Sequence, residues 1–82
     1  MKAQLTLYSK PGCHLCEEMK AEIAKADCAQ FYELAEINIE TDRELLARYG
    51  SDIPVLLIND AEAFRHRLNA GSFRERLMRE FD

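Results

Sequence analysis

The sequence predicts an α/β fold, a four-stranded mixed sheet covered by three helices in the order β-α-β-α-β-β-α. Three observations carry that expectation. A short alternating segment, Ala3 to Tyr8, is broken by Pro11-Gly12 and followed by a helical apolar stripe. A continuous apolar run, Val55-Leu56-Leu57-Ile58, follows Pro54, as expected of a central strand buried on both faces. Three helices suffice to cover both faces of such a sheet, which makes a small but complete core.

In order along the chain, Ala3, Leu5 and Leu7 alternate with Gln4, Thr6 and Tyr8, the period of a first strand. From about His14 to Asp27, Leu15, Met19 and Ile23 recur every fourth residue among Glu17, Glu18, Lys20, Glu22 and Lys25. That is an amphipathic helix with its core stripe on one side. Phe31 to Ile39 is richer in aromatic and β-branched residues and reads as a second strand, joined to the first by a right-handed crossover. Thr41-Asp42-Arg43-Glu44 fits a capping box with Thr41 as the cap. A short second helix then runs through Leu45, Leu46 and Tyr49 to Gly50, a residue suited to a left-handed stop.

After the central run, Asn59-Asp60 supplies turn chemistry. Phe64, His66 and Leu68 alternate with Ala63, Arg65 and Arg67, an edge strand whose charged face discourages aggregation. Ser72-Phe73-Arg74-Glu75 reads as a second capping box, and Phe73, Leu77 and Phe81 line a last helix.

Composition narrows the function. Eighty-two residues leave room for one core. The net charge of −4 and the lack of a Lys/Arg cluster argue against a nucleic-acid partner. No apolar stretch is long enough for a membrane span, and the start is too alternating for a signal peptide, so the expected location is the cytoplasm. Three cysteines are an odd number, wrong for a secreted disulfide scaffold. In a reducing compartment a close pair is catalytic, redox-sensing or metal-binding rather than structural.

The pair is Cys13-His14-Leu15-Cys16, directly after Tyr8-Ser9-Lys10-Pro11-Gly12. A thiol at a helix N-terminus faces unpaired backbone N–H groups and the positive end of the helix dipole, both of which favour the thiolate. Residues three apart share a helix face, so the two sulfurs can form a disulfide without large backbone movement.

The Cys-x-x-Cys at the first strand-to-helix junction, with Asp52-Ile53-Pro54-Val55 before the third strand, resembles the thioredoxin fold. Within it the chain is most similar to the glutaredoxins and small bacterial glutaredoxin-like proteins. The resemblance spans residues 1–82 as one domain. It implies a thiol-disulfide oxidoreductase in which Cys13 is the nucleophile and Cys16 the resolving thiol. It also implies a cis bond before Pro54, with the backbone of Ile53 pairing to an extended substrate. Protein disulfides or glutathione are the implied partners, with a thiol reductant system, glutathione as a co-substrate and no bound cofactor. A monomer is expected.

Lys10 stands where glutaredoxins commonly carry a lysine that favours the thiolate and meets a glutathione carboxylate; the alternative is an exposed loop lysine. His14 either tunes the thiolate or relays a proton, or is a solvated first-turn residue. Gly71 and Ser72 match part of the segment that holds the γ-glutamyl end of glutathione, whereas Ala70 and Phe73 depart from it. Ser72 offers a hydroxyl and helix N–H groups to a carboxylate, or simply caps the helix. Asp52 replaces the family's threonine and would repel an anion unless protonated or paired. Arg65 and Arg67 serve an anionic ligand or guard the edge. Cys28 carries no role, and Cys13, Cys16, Cys28 and His66 lack the paired spacing of a zinc site, so no metal is expected. Two other classes stand beside the enzyme: an iron–sulfur or metal-binding module through Cys13, and an interaction protein whose thiols only sense redox state.

Overall fold

A computed structural model describes all 82 residues. Four strands and three helices alternate as β1 (Ala3–Ser9), α1 (His14–Lys25), β2 (Tyr32–Asn38), α2 (Arg43–Tyr49), β3 (Val55–Ile58), β4 (Ala61–Arg65) and α3 (Ala70–Met78). The sheet order is β2-β1-β3-β4. β1 and β2 run parallel with Leu5 opposite Leu34, while β1–β3 and β3–β4 are antiparallel, with Leu5 opposite Ile58 and Ile58 opposite Ala61. The predicted mixed sheet with three helices is therefore what forms.

Alternation along β1 sorts the core. Ala3, Leu5 and Leu7 pack with Leu56 and Ile58, with Met19 and Ile23 of α1, and with Phe73 and Leu77 of α3. Tyr8 faces the other way and joins a smaller cluster of Ile39, Tyr49, Val55, Ile53 and Cys16 under α2. α1 and α3 thus cover one face and α2 part of the other. No helix is long and apolar enough to cross a membrane.

Several element ends differ from the sequence reading, each for a local reason. α1 stops at Lys25, because Ala26 caps it and Asp27 turns to a φ of 56°. Its stripe is Cys16, Met19 and Ile23, whereas Leu15 is half-buried at the rim of an open groove. Ahead of α2 a single tight turn, Ile39–Thr41, pushes the cap along by one residue. Asp42 Oδ1 accepts from the N–H groups of Glu44 (2.9 Å) and Leu45 (3.2 Å), and the Thr41 hydroxyl instead donates to Asn38 O. Gly50 keeps a right-handed φ of −53°; a Cβ there would lie 2.5 Å from Leu46 O, so close approach rather than a left-handed turn requires glycine.

Asn59 and Asp60, where the sequence carries turn chemistry, take φ of 48° and 68° and make a two-residue hairpin turn. β4 starts two residues early and ends at Arg65. His66 takes a φ of 70° in a tight turn closed by the Arg67 N–H on Arg65 O (2.8 Å). The cap of α3 is Asn69, not Ser72; its Oδ1 accepts from the Ser72 N–H at 2.8 Å. α3 ends at Met78, leaving Phe81 42 % exposed against Phe31, ring centroids 5.8 Å apart.

Candidate active site

The site begins with the turn that delivers the first cysteine. Pro11 and Gly12 occupy the middle of a turn closed by the Cys13 N–H on Lys10 O (3.3 Å), and Gly12 has a φ of 77°. Proline followed by a residue of positive φ is the signature of a type II turn. It leaves Cys13 extended at the N-cap of α1, where its Sγ accepts from the Cys16 N–H at 3.1 Å. The sulfur takes the place a serine or aspartate oxygen usually holds. Cys13 and Cys16 are at disulfide-bonding distance, with Cα atoms 5.3 Å apart. They differ in access: Cys13 is partly exposed, Cys16 only 1 % so.

Opposite them, the Ile53–Pro54 bond is cis. Ile53 and Val55 share a packed cluster with Cys16, and Cys13 lies against it. The Ile53 N–H is already engaged, donating to Tyr49 O at 3.2 Å beside the Asp52 N–H at 2.8 Å. β4 holds this segment from the far side. The His66 N–H donates to Pro54 O (2.7 Å), and the Arg65 guanidinium pairs with the Asp52 carboxylate (3.0 Å) and with Glu62 (2.7 Å). Asp52 is therefore a paired carboxylate. Tyr49 stacks on Tyr8 at 4.8 Å between centroids, flooring the site beneath α2.

The charges around the first turn of α1 are largely partnered. Lys20 reaches Glu17 (2.7 Å) and Glu36 (3.2 Å), and these bonds raise its pKa. The Ser9 hydroxyl, then Lys20, hold the Glu36 carboxyl below its ordinary range. His14 is exposed, with Nε2 3.4 Å from Glu18. The Lys10 side chain is exposed beside a polar hollow of about 290 Å³ lined by Ser9, Glu17, Glu36 and Asn38.

Gly71 and Ser72 are exposed on the first turn of α3. Phe73 is fully buried in the core, so it has no part in a ligand site. The N–H groups of that turn are mostly spent inside the protein. Glu22 Oε1 of α1 accepts from the Ala70 N–H (3.1 Å), and Asn69 takes that of Ser72. Arg74 returns the contact by donating to Ala26 O at the end of α1. Between α1 and the β4–α3 corner lies a second groove of about 290 Å³, with Leu15, Glu18 and Glu22 on one wall and His66, Arg67 and Leu68 on the other.

Cys28 is buried in the larger cluster, its thiol donating to Ala26 O, so it belongs to a different core from Cys16. No group of three or more His, Cys, Asp or Glu side chains gathers as a metal site would. Sequence reasoning missed Tyr49, Glu22 and the Asp52–Arg65 pair as parts of this region. Only Asp52 carried a signal, through its departure from the threonine usual at that place.

A family model described as "Glutaredoxin-like domain (DUF836)" matches residues 4–78. A curated relative, "Glutaredoxin-like protein YDR286C homolog" from Dictyostelium discoideum, is 28% identical over 71 residues. The match takes in 79% of this chain and spans 66% of that relative's length. Among solved structures, protein Ne2328 from Nitrosomonas europaea is 32% identical with a TM-score of 0.78, covering 94% of this chain and 93% of its own. Target protein XcR50 from X. campestris is 29% identical with a TM-score of 0.77, covering 89% and 93%. A mutant thioredoxin from Halobacterium salinarum shares the fold at 12% identity, with a TM-score of 0.71 over 99% of this chain and 76% of that one.

Proposed function

The chain belongs to the glutaredoxin-like domain family, and from that premise we propose that it is a thiol–disulfide oxidoreductase acting on protein or glutathione mixed disulfides. The observation that carries the reading is the unequal pair at the start of α1. An accessible Cys13 sulfur accepts a backbone N–H, and a buried Cys16 stands at disulfide distance behind it.

The Cys16 N–H and the dipole of α1 stabilise negative charge on the Cys13 sulfur. The Cys13 thiolate attacks one sulfur of a substrate disulfide. That S–S bond breaks, a mixed disulfide forms on Cys13, and the departing thiolate takes up a proton. Cys16, ionised in turn, attacks the Cys13 sulfur and releases the second substrate thiol. Two electrons have moved to the substrate, and the Cys13–Cys16 disulfide is returned to the dithiol by an external thiol reductant. Burial of Cys16 keeps it from competing for the first attack. Extended substrate would lie along Ile53–Pro54 and use the Ile53 carbonyl, since the Ile53 N–H is held by Tyr49 O.

The test is reduction of a protein disulfide, insulin with dithiothreitol as donor, and of a glutathionylated peptide. Cys13→Ser should abolish both. Cys16→Ser should accumulate a mixed disulfide detectable by mass. Turnover in Cys13→Ser equal to wild type would remove the assignment of the nucleophile.

A further inference from the structure

Resting on the dithiol reading above, we propose that Glu22 determines substrate class. Its carboxylate fills the N-terminus of α3 and turns the site away from carboxylate-bearing small thiols such as glutathione, towards disulfides within protein segments.

A helix start offers unpaired N–H groups that attract a carboxylate, and a ligand carboxylate binds best when it collects more than one of them. At α3 the supply is nearly used. The Ala70 N–H goes to Glu22 at 3.1 Å, the Ser72 N–H to Asn69 Oδ1 at 2.8 Å, and the Phe73 N–H to Asn69 O at 3.0 Å. The Gly71 N–H alone is left of the first turn. A ligand carboxylate arriving there meets a fixed negative charge in place of a second donor.

Glu22 is also held through its second oxygen. Lys25 pairs with its other oxygen at 3.2 Å, and the Ala70 N–H, then Lys25, hold its carboxyl below the ordinary range, so it is ionised at neutral pH. Arg74 ties α3 back to α1 at Ala26, which fixes the spacing of the two helices. The approach matters as much as the end point. The groove between α1 and the β4–α3 corner runs from Leu15, inside the dithiol motif, to Glu22. It holds Arg67 and His66 against two carboxylates, Glu18 and Glu22. The half-buried Leu15 and Leu68 give the same groove apolar surface, over the buried Met19. An apolar side chain next to a cysteine in a protein segment suits that lining better than a charged terminus does.

The experiment compares kcat/KM for a glutathionylated peptide with kcat/KM for insulin disulfides, in wild type, Glu22→Ala and Glu22→Gln. Wild type should favour insulin. Glu22→Ala frees the Ala70 N–H and removes the charge, so the peptide-to-insulin ratio should rise about tenfold, the size of one charge-assisted hydrogen bond. The gain should come as a lower KM for the glutathionylated peptide. Glu22→Gln, isosteric and still able to accept from Ala70, should raise the ratio less, and it keeps the test valid if the alanine variant folds poorly. An unchanged ratio in the folded variants overturns the proposal. Failure of wild type to reduce either substrate would instead overturn the oxidoreductase reading itself.

Discussion

Two helices of this protein begin with the same geometry and different chemistry. At α1, Cys13 Sγ accepts from the N–H three residues on; at α3, Asn69 Oδ1 does the same. Both caps satisfy a donor that would otherwise be orphaned. The α3 cap is a neutral amide reinforced by Glu22, already ionised and already paired, so nothing there is left to react. The α1 cap is a cysteine sulfur at disulfide distance from Cys16, and a helix N-terminus favours a sulfur there in its thiolate form. A helix start becomes a reactive site when its cap is an atom that gains from losing a proton. It stays structural when the cap is complete beforehand.

The strongest way to break the contrast is to give α1 the kind of cap that ends in charge. Cys13→Asp supplies a preferred N-cap oxygen and no sulfur. Turnover on insulin should vanish, while the thermal midpoint of the reduced protein stays near that of reduced wild type. Residual turnover would mean that Cys16 can attack by itself. The next effect is on stability. α3 is held chiefly by its core side chains, with Phe73 and Leu77 fully buried. Phe73→Ala should cost about 3–5 kcal/mol in urea unfolding. A loss below about 1 kcal/mol would show that α3 docks through its ends rather than its core.

The sequence made one of these two helix starts readable and not the other. Cys13 and Cys16 are near neighbours after a Pro-Gly turn, so their placement follows from local geometry. The continuous run at Val55–Ile58 likewise announces a strand buried on both faces, and β3 lies inside the sheet. The partner of the Ala70 N–H, by contrast, is a carboxylate 48 residues away, and Asp52 finds Arg65 only once β3 and β4 pair. Nothing in the spacing of Glu22 distinguishes it from the other acids of α1. Caps were misplaced for a related reason. Thr41 and Ser72 both head capping-box patterns, yet Asp42 and Asn69 are the residues left extended by the preceding turn. Side-chain type names the candidates for a cap, and the backbone selects among them.

Smaller effects sharpen the comparison at α3 itself. Asn69→Ala should cost about 1 kcal/mol, the usual loss for an N-cap side chain, with turnover on insulin kept. The last test is of sign rather than size. The Glu22 carboxyl is depressed, first by the Ala70 N–H and then by Lys25. A group of that kind stabilises the fold above its unfolded pKa, about 4.3 for a glutamate. The contribution is lost as pH falls through the lower folded value. Glu36, Glu62 and Glu80 are depressed too, by Ser9, Arg65 and Arg76 respectively as the largest causes, so wild type should lose stability steadily below that point. Glu22→Gln removes one of these four contributions. Its urea midpoint should lie below that of wild type at neutral pH, and the gap should close towards pH 2.5. A gap that stays constant across the range would mean that Glu22 is not bound as a carboxylate at the start of α3.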